Sequence, residues 1–487
     1  MGMNFTKQID IKNIKARMKN IFLGAAFFII IFATVINHPI LVFAKSNYHE
    51  KDRTKISSLN KRNNIFFILI DTLRADHLGC YGYKRNTSPN IDKIAGEGVI
   101  FTNFYTVCPW THPTIASLFT GKYPQAIFPP AEHEQAMKQV LPEEIDTLAE
   151  VLRKEGYRTI ALVDHPRISK VLNYDQGFDE FVQMFDKWTG KPAPLVIKEV
   201  SERLDKINED YFFVYLHLIY PHWPYEPPSP YNEVFGKGYK ECAIEEKECV
   251  IEEKEGMINM YDGEIKYTDE LIGGILDNLR KRKLLNNTYI IITSDHGEGF
   301  WEHGLAVHGN SLYNELLKVP LIIYFPGGRR TQTKTIDEPV SNIDLFPTIM
   351  DFAKIENFPK GGGKSLFRYF DNKNREEDNR MIFSESPHSL CIKALSCQNE
   401  RYKFIWYPPS MTKYILLFNP IQLYDIKEDP FEKHNLAMLK IFTSIKMGLE
   451  LFKHKIFNDR ERRALKQKSK ELDNDAIKKL KSLGYLQ

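Results

Sequence analysis

Short, nearly uninterrupted apolar runs recur along this chain and alternate with longer segments whose apolar residues return every three to four positions. The clearest strand candidates are "NIFFILID" (64–71), "RTIALVD" (158–164), "YFFVYLHL" (211–218), "TYIIITSD" (288–295) and "VPLIIYF" (319–325). Between them, "EIDTLAEVLRKEGY" (144–157), which ends in a glycine stop signal, and "MINMYDGEIKYTDELIGGILDNLRKR" (257–282) have helical spacing. Strand, helix and strand in repeated order predict an α/β fold with a large, mostly parallel sheet flanked by helices. From about residue 381 the pattern changes. "NERYKFIWYPP" and "IQLYDIKEDP" read as antiparallel strands, and the tail from about 460 as a basic helix. The expected organisation is a catalytic domain over 63–380 and a smaller C-terminal α+β subdomain over 381–487.

The N-terminus has a different pattern. Lys7, Lys12, Lys15, Arg17 and Lys19 lie within a basic segment, 1–20, ahead of "IFLGAAFFIIIFATVI" (21–36), and Asn37, His38 and Pro39 interrupt before "ILVFA". Residues 21–44 are long enough to span a bilayer, and Val42 and Ala44 also suit the positions before a signal-peptide cut. An uncleaved transmembrane anchor is the expectation, with the basic N-terminus cytoplasmic, a linker over 45–62 and the catalytic domain outside the cytoplasm. Lys45, Lys51, Arg53, Lys55, Lys61 and Arg62 weaken the charge asymmetry that would orient such an anchor.

With 487 residues and 43% hydrophobic content, the chain can bury a sizeable core, so disorder is excluded. A net charge of +3 gives no footing to nucleic acid as a partner. Six cysteines suit an exported protein. Cys242 with Cys249, and Cys391 with Cys397, are close enough to close small loops, whereas Cys80 and Cys108 lie near the expected active site.

Candidate chemistry gathers at two strand ends. Asp71 and Asp295 each follow an apolar run, and in open α/β sheets ligands bind beyond the carboxyl ends of strands. "SDHGEGFWEHGLAVHG" adds His296, Glu298, Glu302, His303 and His308. Adjacent Asp295 and His296 offer a hard oxygen and an imidazole, a donor mixture suited to zinc or manganese. In "PWTHPTIASLFTGKYP" (109–124), Thr111 stands before a helical turn. It reads either as an N-cap or as a hydroxyl placed where a helix N-terminus favours anions.

The segments "ILIDTLRADHLGCYGY" (68–83), "WTHPTIASLFTGKYP", "YLHLIYPHWPYEPP" (215–228), "ITSDHGEGFWEHG" (292–304), "LYNELLKVPLIIYFPG" (312–327), "NIDLFPTIMD" (342–351) and "QLYDIKEDPFEKHNL" (422–436) occur in this order. Together they resemble the sulfatase family of the alkaline phosphatase superfamily, over about residues 63–440 and again in the closing "KKLKSLGYL". The resemblance implies an alkaline-phosphatase-like sandwich. The family's nucleophile motif is Cys or Ser, any residue, Pro, Ser, Arg, followed by Thr-Gly-Arg. Aligning "TGK" (120–122) with the last three puts Thr111 at the nucleophile, Pro113 at the proline, Thr114 at the serine and Ile115 at the arginine. Formylglycine is made from cysteine or serine, so Thr111 departs from the pattern, and Cys108 lies too far from Gly121 to replace it.

Typical members have two adjacent aspartates where this chain has Asp71 and Thr72, which argues against calcium. What remains, Asp71, Asp295 and His296 as metal ligands beside Thr111, looks like the single-metal arrangement of threonine-dependent relatives that transfer phosphoglycerol or phosphoethanolamine groups. One divalent ion, manganese or zinc, is implied. His222 and His308 match substrate-contacting or leaving-group positions, one being the candidate general acid, and Lys122 matches a basic position beside the site. Arg74 is expected to support the metal strand through a carboxylate. His217, Glu302 and His303 read equally as outer supports, and Asp262 and Glu264 as structural. The leading expectation is a hydrolase or transferase using Thr111 on a phosphate or sulfate ester, the phosphoester favoured, with a lipid or envelope polymer as associated substrate. An arylsulfatase-like enzyme and an inactive membrane-tethered scaffold are the alternatives.

Overall fold

The computed structural model describes residues 62–465 apart from 130, 132, 185–192, 208–210, 240–250, 329–333, 371–379, 387–392 and 409–418, together with residue 478. The basic lead, the anchor over 21–44, nearly all of the linker and the loop between Cys242 and Cys249 therefore lie outside the described residues. No helix among the described residues is long and apolar enough to cross a membrane.

An eight-stranded sheet runs in the order Thr335–Ile336, Val99–Phe101, Leu321–Tyr324, Thr288–Ser294, Asn64–Ile70, Phe212–Leu218, Arg158–Val163, Glu180–Gln183. From Thr288–Ser294 through Glu180–Gln183 every neighbour is parallel. Leu321–Tyr324 runs antiparallel to both of its neighbours.

The apolar runs are explained by burial on both faces. In the central strand, Ile65, Phe67 and Leu69 pack into one core and Phe66, Ile68 and Ile70 into the other. Helices Thr111–Thr120, Leu148–Lys154 and Leu345–Ala353 cover the first face through residues such as Ile115, Phe119, Leu152 and Ile349. Pro89–Glu97, Ala193–Lys206 and Ile251–Lys281 cover the second through Ile91, Val200, Ile272 and Leu276. The helix expected from residue 144 starts later because Thr147 caps it, in a capping box with Glu150.

A separate four-stranded antiparallel sheet follows, Ile382–Ser386, Ala394–Gln398, Tyr402–Trp406 and Ile421–Asp425. Helix Ile441–Ala464 packs against this sheet, and nearly all of the basic tail after residue 465 lies outside the described residues. Cys391 lies outside the described residues, and Cys397 is a free thiol that donates to the Met447 carbonyl at 3.3 Å. Its strand position turns the thiol inward, toward that helix.

Candidate active site

Register brings the two aspartates together. Ile70 lies opposite Ser294 on one side and Leu218 on the other, so Asp71 and Asp295 leave adjacent strands at the same level. The Asp71 amide extends the ladder by donating to the Leu218 carbonyl at 2.9 Å. Thr72 then takes a left-handed conformation, φ 54°, at a cost of about 1–2 kcal/mol for a side chain with a Cβ. That turn aims its amide at Asp295 Oδ1, 3.2 Å away, while its hydroxyl donates to the Pro221 carbonyl at 2.6 Å. The position where typical sulfatases carry a second aspartate is thus a hydroxyl occupied elsewhere. Past Asp295 and His296 the chain needs glycine, because a Cβ at Gly297 would stand 2.0 Å from the Glu315 carbonyl oxygen.

Thr111 is the first residue of helix Thr111–Thr120, and Trp110 holds the N-cap position without a side-chain capping bond. Thr111 is therefore not the cap. Its hydroxyl lies 3.2 Å from His296 Nε2, at the buried end of a helix whose free N–H groups favour anions. Gly121, in the left-handed region at φ 65°, stops that helix.

The site is polar, buried and short of partners among the described residues. Asp71, Asp295 and His296 are all fully buried. Both oxygens of Asp71, Oδ2 of Asp295 and Nε2 of His217 have no hydrogen-bond partner among the described residues. Burial, then the carboxylates of Asp295 and Glu298, push Asp71 well above the ordinary carboxylate range. Burial also raises Asp295 and depresses His296 well below the usual histidine value. A divalent cation is the group that would repair this arrangement, since it supplies charge to the orphaned oxygens and accepts neutral imidazole. The donor set fits one. His296 Nε2 stands 3.3 Å from Asp295 Oδ2 and 3.8 Å from Asp71 Oδ1, and its Nδ1 donates to the Gly297 carbonyl at 2.9 Å, which turns the Nε2 lone pair inward.

His222 and His308 come to the same place. Their ring centroids are 4.9 Å apart, and the His308 ring lies 4.4 Å from that of His296. Burial opposes charge on His308, but Glu298, with Oε1 3.1 Å from Nδ1, outweighs it and raises the ring above the ordinary histidine range. His222 goes the other way: burial, then His308, depress it well below that range. Its Nδ1 donates to the Trp223 carbonyl at 2.6 Å.

Two further histidines face Asp71 Oδ2, His165 with Nε2 at 3.2 Å and His217 with Nε2 at 3.5 Å. Sequence reasoning missed His165. Yet "RTIALVD" ends in Asp164, so the strand-end rule that selected Asp71 and Asp295 would have selected this corner too.

Lys122 is not brought to the site. It follows the far end of the ten-residue helix that Thr111 begins, about 15 Å along the axis, and its Nζ pairs with Glu461 at 3.0 Å. Arg74 binds Asp76 at 2.8 Å and Glu302 at 2.6 Å and donates to the Glu298 carbonyl, bracing the loop that carries Glu298. His303 binds Glu315 at 2.7 Å and stacks on Tyr313. Asp262 holds His77, Tyr83 and Arg85, and Glu264 accepts the Glu226 amide at 2.7 Å. These groups are supports.

A family model described as sulfatase matches residues 63–355, and one described as N-sulphoglucosamine sulphohydrolase, C-terminal, matches 302–458. An ulvan-active sulfatase of Formosa agariphila is 25% identical over 92% of this chain and 89% of its own length. An uncharacterised sulfatase of Escherichia coli is 26% identical over 77% of this chain and 83% of its own. Among solved structures, a Bacteroides thetaiotaomicron protein described as a putative sulfatase superposes with TM-score 0.68 at 21% identity, covering 85% of this chain and 96% of the other. The phosphonate monoester hydrolase of Agrobacterium radiobacter does so with TM-score 0.63 at 19% identity, covering 85% and 99%. The two strand-end aspartates, the Asp-His-Gly turn and the family model that spans them all lead to one assignment: the chain belongs to the sulfatase family of the alkaline phosphatase superfamily, and is an ester hydrolase of that superfamily by fold and descent.

Proposed function

We propose that this enzyme cleaves or transfers an ester of phosphate, in preference to sulfate, through Thr111 as nucleophile, with Asp71, Asp295 and His296 holding one divalent ion, zinc or manganese. The observation that carries the reading is the Thr111 hydroxyl, which caps nothing and lies 3.2 Å from His296 Nε2 at a helix N-terminus. When bound, the cation would lower the pKa of an oxygen and polarise the ester.

The remaining work falls to side chains. Thr111 Oγ1 loses its proton to solvent and forms the bond to phosphorus as the bond to the leaving oxygen breaks, and the helix N–H groups receive the anionic oxygens. His308, whose pKa Glu298 raises, gives its proton to the leaving oxygen. His222 stays neutral, with Nδ1 tied to the Trp223 carbonyl, so Nε2 is free of a proton and suited to accept one from water or an alcohol that releases Thr111. Water gives hydrolysis and an alcohol gives transfer. Phosphate is preferred over sulfate because the family's sulfate chemistry, as the motif implies it, uses formylglycine, which threonine cannot form. The apolar stretch 21–44 behind its basic lead supports an anchored, extracytoplasmic enzyme, a location that favours a lipid or envelope polymer.

Sulfate-ester hydrolysis is the second reading, favoured by the relatives' names, which include an arylsulfatase of Clostridium perfringens, 24% identical over 77% of this chain. The test is turnover of matched aryl sulfate, phosphate monoester and phosphodiester by the zinc- or manganese-loaded chain, with Thr111→Ala as control. Phosphoester cleavage that needs Thr111 supports the proposal; cleavage of the sulfate alone overturns the phosphate preference.

A further inference from the structure

Three histidines outside the expected triad stand around Asp71, and their Nδ1 partners distinguish them. His165 accepts the Arg167 amide at Nδ1, 3.1 Å away, so the proton of its neutral ring is on Nε2, the atom that faces Asp71 Oδ2. His165 thereby turns an N–H toward Asp71 and has no lone pair to offer there. His222, whose ring faces His308, belongs to the leaving-group side of the site.

His217 differs from both. It is the penultimate residue of strand Phe212–Leu218, is fully buried, and among the described residues has only the Tyr215 hydroxyl, 3.0 Å from Nδ1, as hydrogen-bond partner. A tyrosine hydroxyl can accept from Nδ1–H, which leaves a lone pair on Nε2. That atom is buried without a hydrogen-bond partner among the described residues and stands 3.5 Å from Asp71 Oδ2. A cation held between the two atoms would satisfy both.

The spacing points the same way. Ligand bonds of about 2.0–2.2 Å in a tetrahedral site put donor atoms about 3.4 Å apart. The observed separations are 3.5 Å for His217 Nε2 to Asp71 Oδ2, 3.3 Å for His296 Nε2 to Asp295 Oδ2, and 3.8 Å for His296 Nε2 to Asp71 Oδ1. Asp71, His217 and Asp295 each place a donor atom within 4.8 Å of the others'. Thr72, whose side chain is turned away to Pro221, leaves the strand-end position without a second carboxylate ligand, and His217 enters from the neighbouring strand.

We propose that His217 Nε2 is a fourth protein ligand of the ion held by Asp71, Asp295 and His296, giving a site of two carboxylates and two imidazoles. The inference rests on the metal site proposed above and extends it. It favours a small ion such as zinc over calcium, which takes oxygen ligands.

The test loads the full chain with cobalt(II) alone and counts strongly shifted, exchangeable imidazole N–H signals by proton NMR. Two are expected in the wild type, from Nδ1–H of His217 and His296. His217→Gln should remove one, keep the other and weaken cobalt retention against a chelator more than about 100-fold, beyond the loss usual for an outer partner. His296→Gln identifies the second signal. One signal in the wild type, or two surviving in His217→Gln, overturns the inference while the metal site stands. Failure of the wild type to hold cobalt overturns both. Because His217 is buried, folding of the variant is checked by its melting curve, and the wild-type count decides the matter without it.

Discussion

The hydroxyl of Thr111 lies 3.2 Å from Nε2 of His296, two residues separated by 185 positions in the chain and brought together at the mouth of one sheet. Removing the hydroxyl removes no ligand in the set Asp71, Asp295 and His296. Thr111→Ala is therefore expected to lower kcat by about 10³-fold or more while metal content, measured by elemental analysis, stays at the wild-type value. Turnover surviving this substitution would remove Thr111 from the role of nucleophile.

Asp295→Asn and His296→Ala act earlier in the same chain of cause. Each removes a donor from a buried site whose remaining groups cannot turn to water, so both metal content and turnover should fall together. Without a cation, burial and the neighbouring carboxylates hold Asp71 protonated to a higher pH than usual. The ion must then displace that proton, so affinity for zinc should rise with pH through the range where Asp71 ionises. Calorimetric titration in buffers of different ionisation enthalpy would count the proton released.

Much of this site was legible along the chain because strand ends are. An apolar run followed by aspartate marks where a buried strand reaches a cleft, and Asp71 and Asp295 needed nothing more. His165 needed only the same rule applied to "RTIALVD". Lys122 misled because closeness in a motif is not closeness in space: a helix carries it to the end opposite Thr111. The antiparallel sense of Leu321–Tyr324 was not readable, since an apolar run has no direction and only its connections set it. Nor could spacing show that Cys397 faces Met447.

Lys122 supplies a control. Its partner Glu461 is about a third exposed and the pair sits at a helix junction away from the chemistry. Lys122→Ala should cost at most about 1 kcal/mol of stability and leave kcat and KM for a small ester unchanged. A large loss in kcat, with melting temperature intact, would return Lys122 to the site.

The alkaline limb of the pH profile belongs to His308. Glu298 raises its pKa above the ordinary histidine value despite burial, so the ring keeps its proton to higher pH than an ordinary histidine, and turnover should decline as that proton is lost. Glu298→Gln removes the raising charge. The limb should then move to lower pH for an ester with a poor leaving group, and much less for one whose leaving oxygen needs no proton. Equal shifts for both esters would show that His308 is not the acid.

Gly297 tests whether the Asp-His-Gly turn is a spacing device for the ligands. A Cβ there would lie 2.0 Å from the Glu315 carbonyl oxygen and 3.0 Å from its carbon, and backbone on both sides leaves nothing flexible to yield. Gly297→Ala must therefore push apart the segment carrying Asp295 and His296 and the one carrying Glu315, at about 1–3 kcal/mol or more. Gly304 offers the comparison within the same loop: its φ is +73° but no atom lies within 4 Å of a built Cβ. Gly304→Ala should then pay only the left-handed backbone penalty, about 1–2 kcal/mol, with the ligands undisturbed. Calorimetry and zinc content separate the two. Both variants should melt earlier, but only Gly297→Ala should lose metal; equal zinc in both would mean that the turn tolerates displacement and that the ligands are positioned by their strands alone.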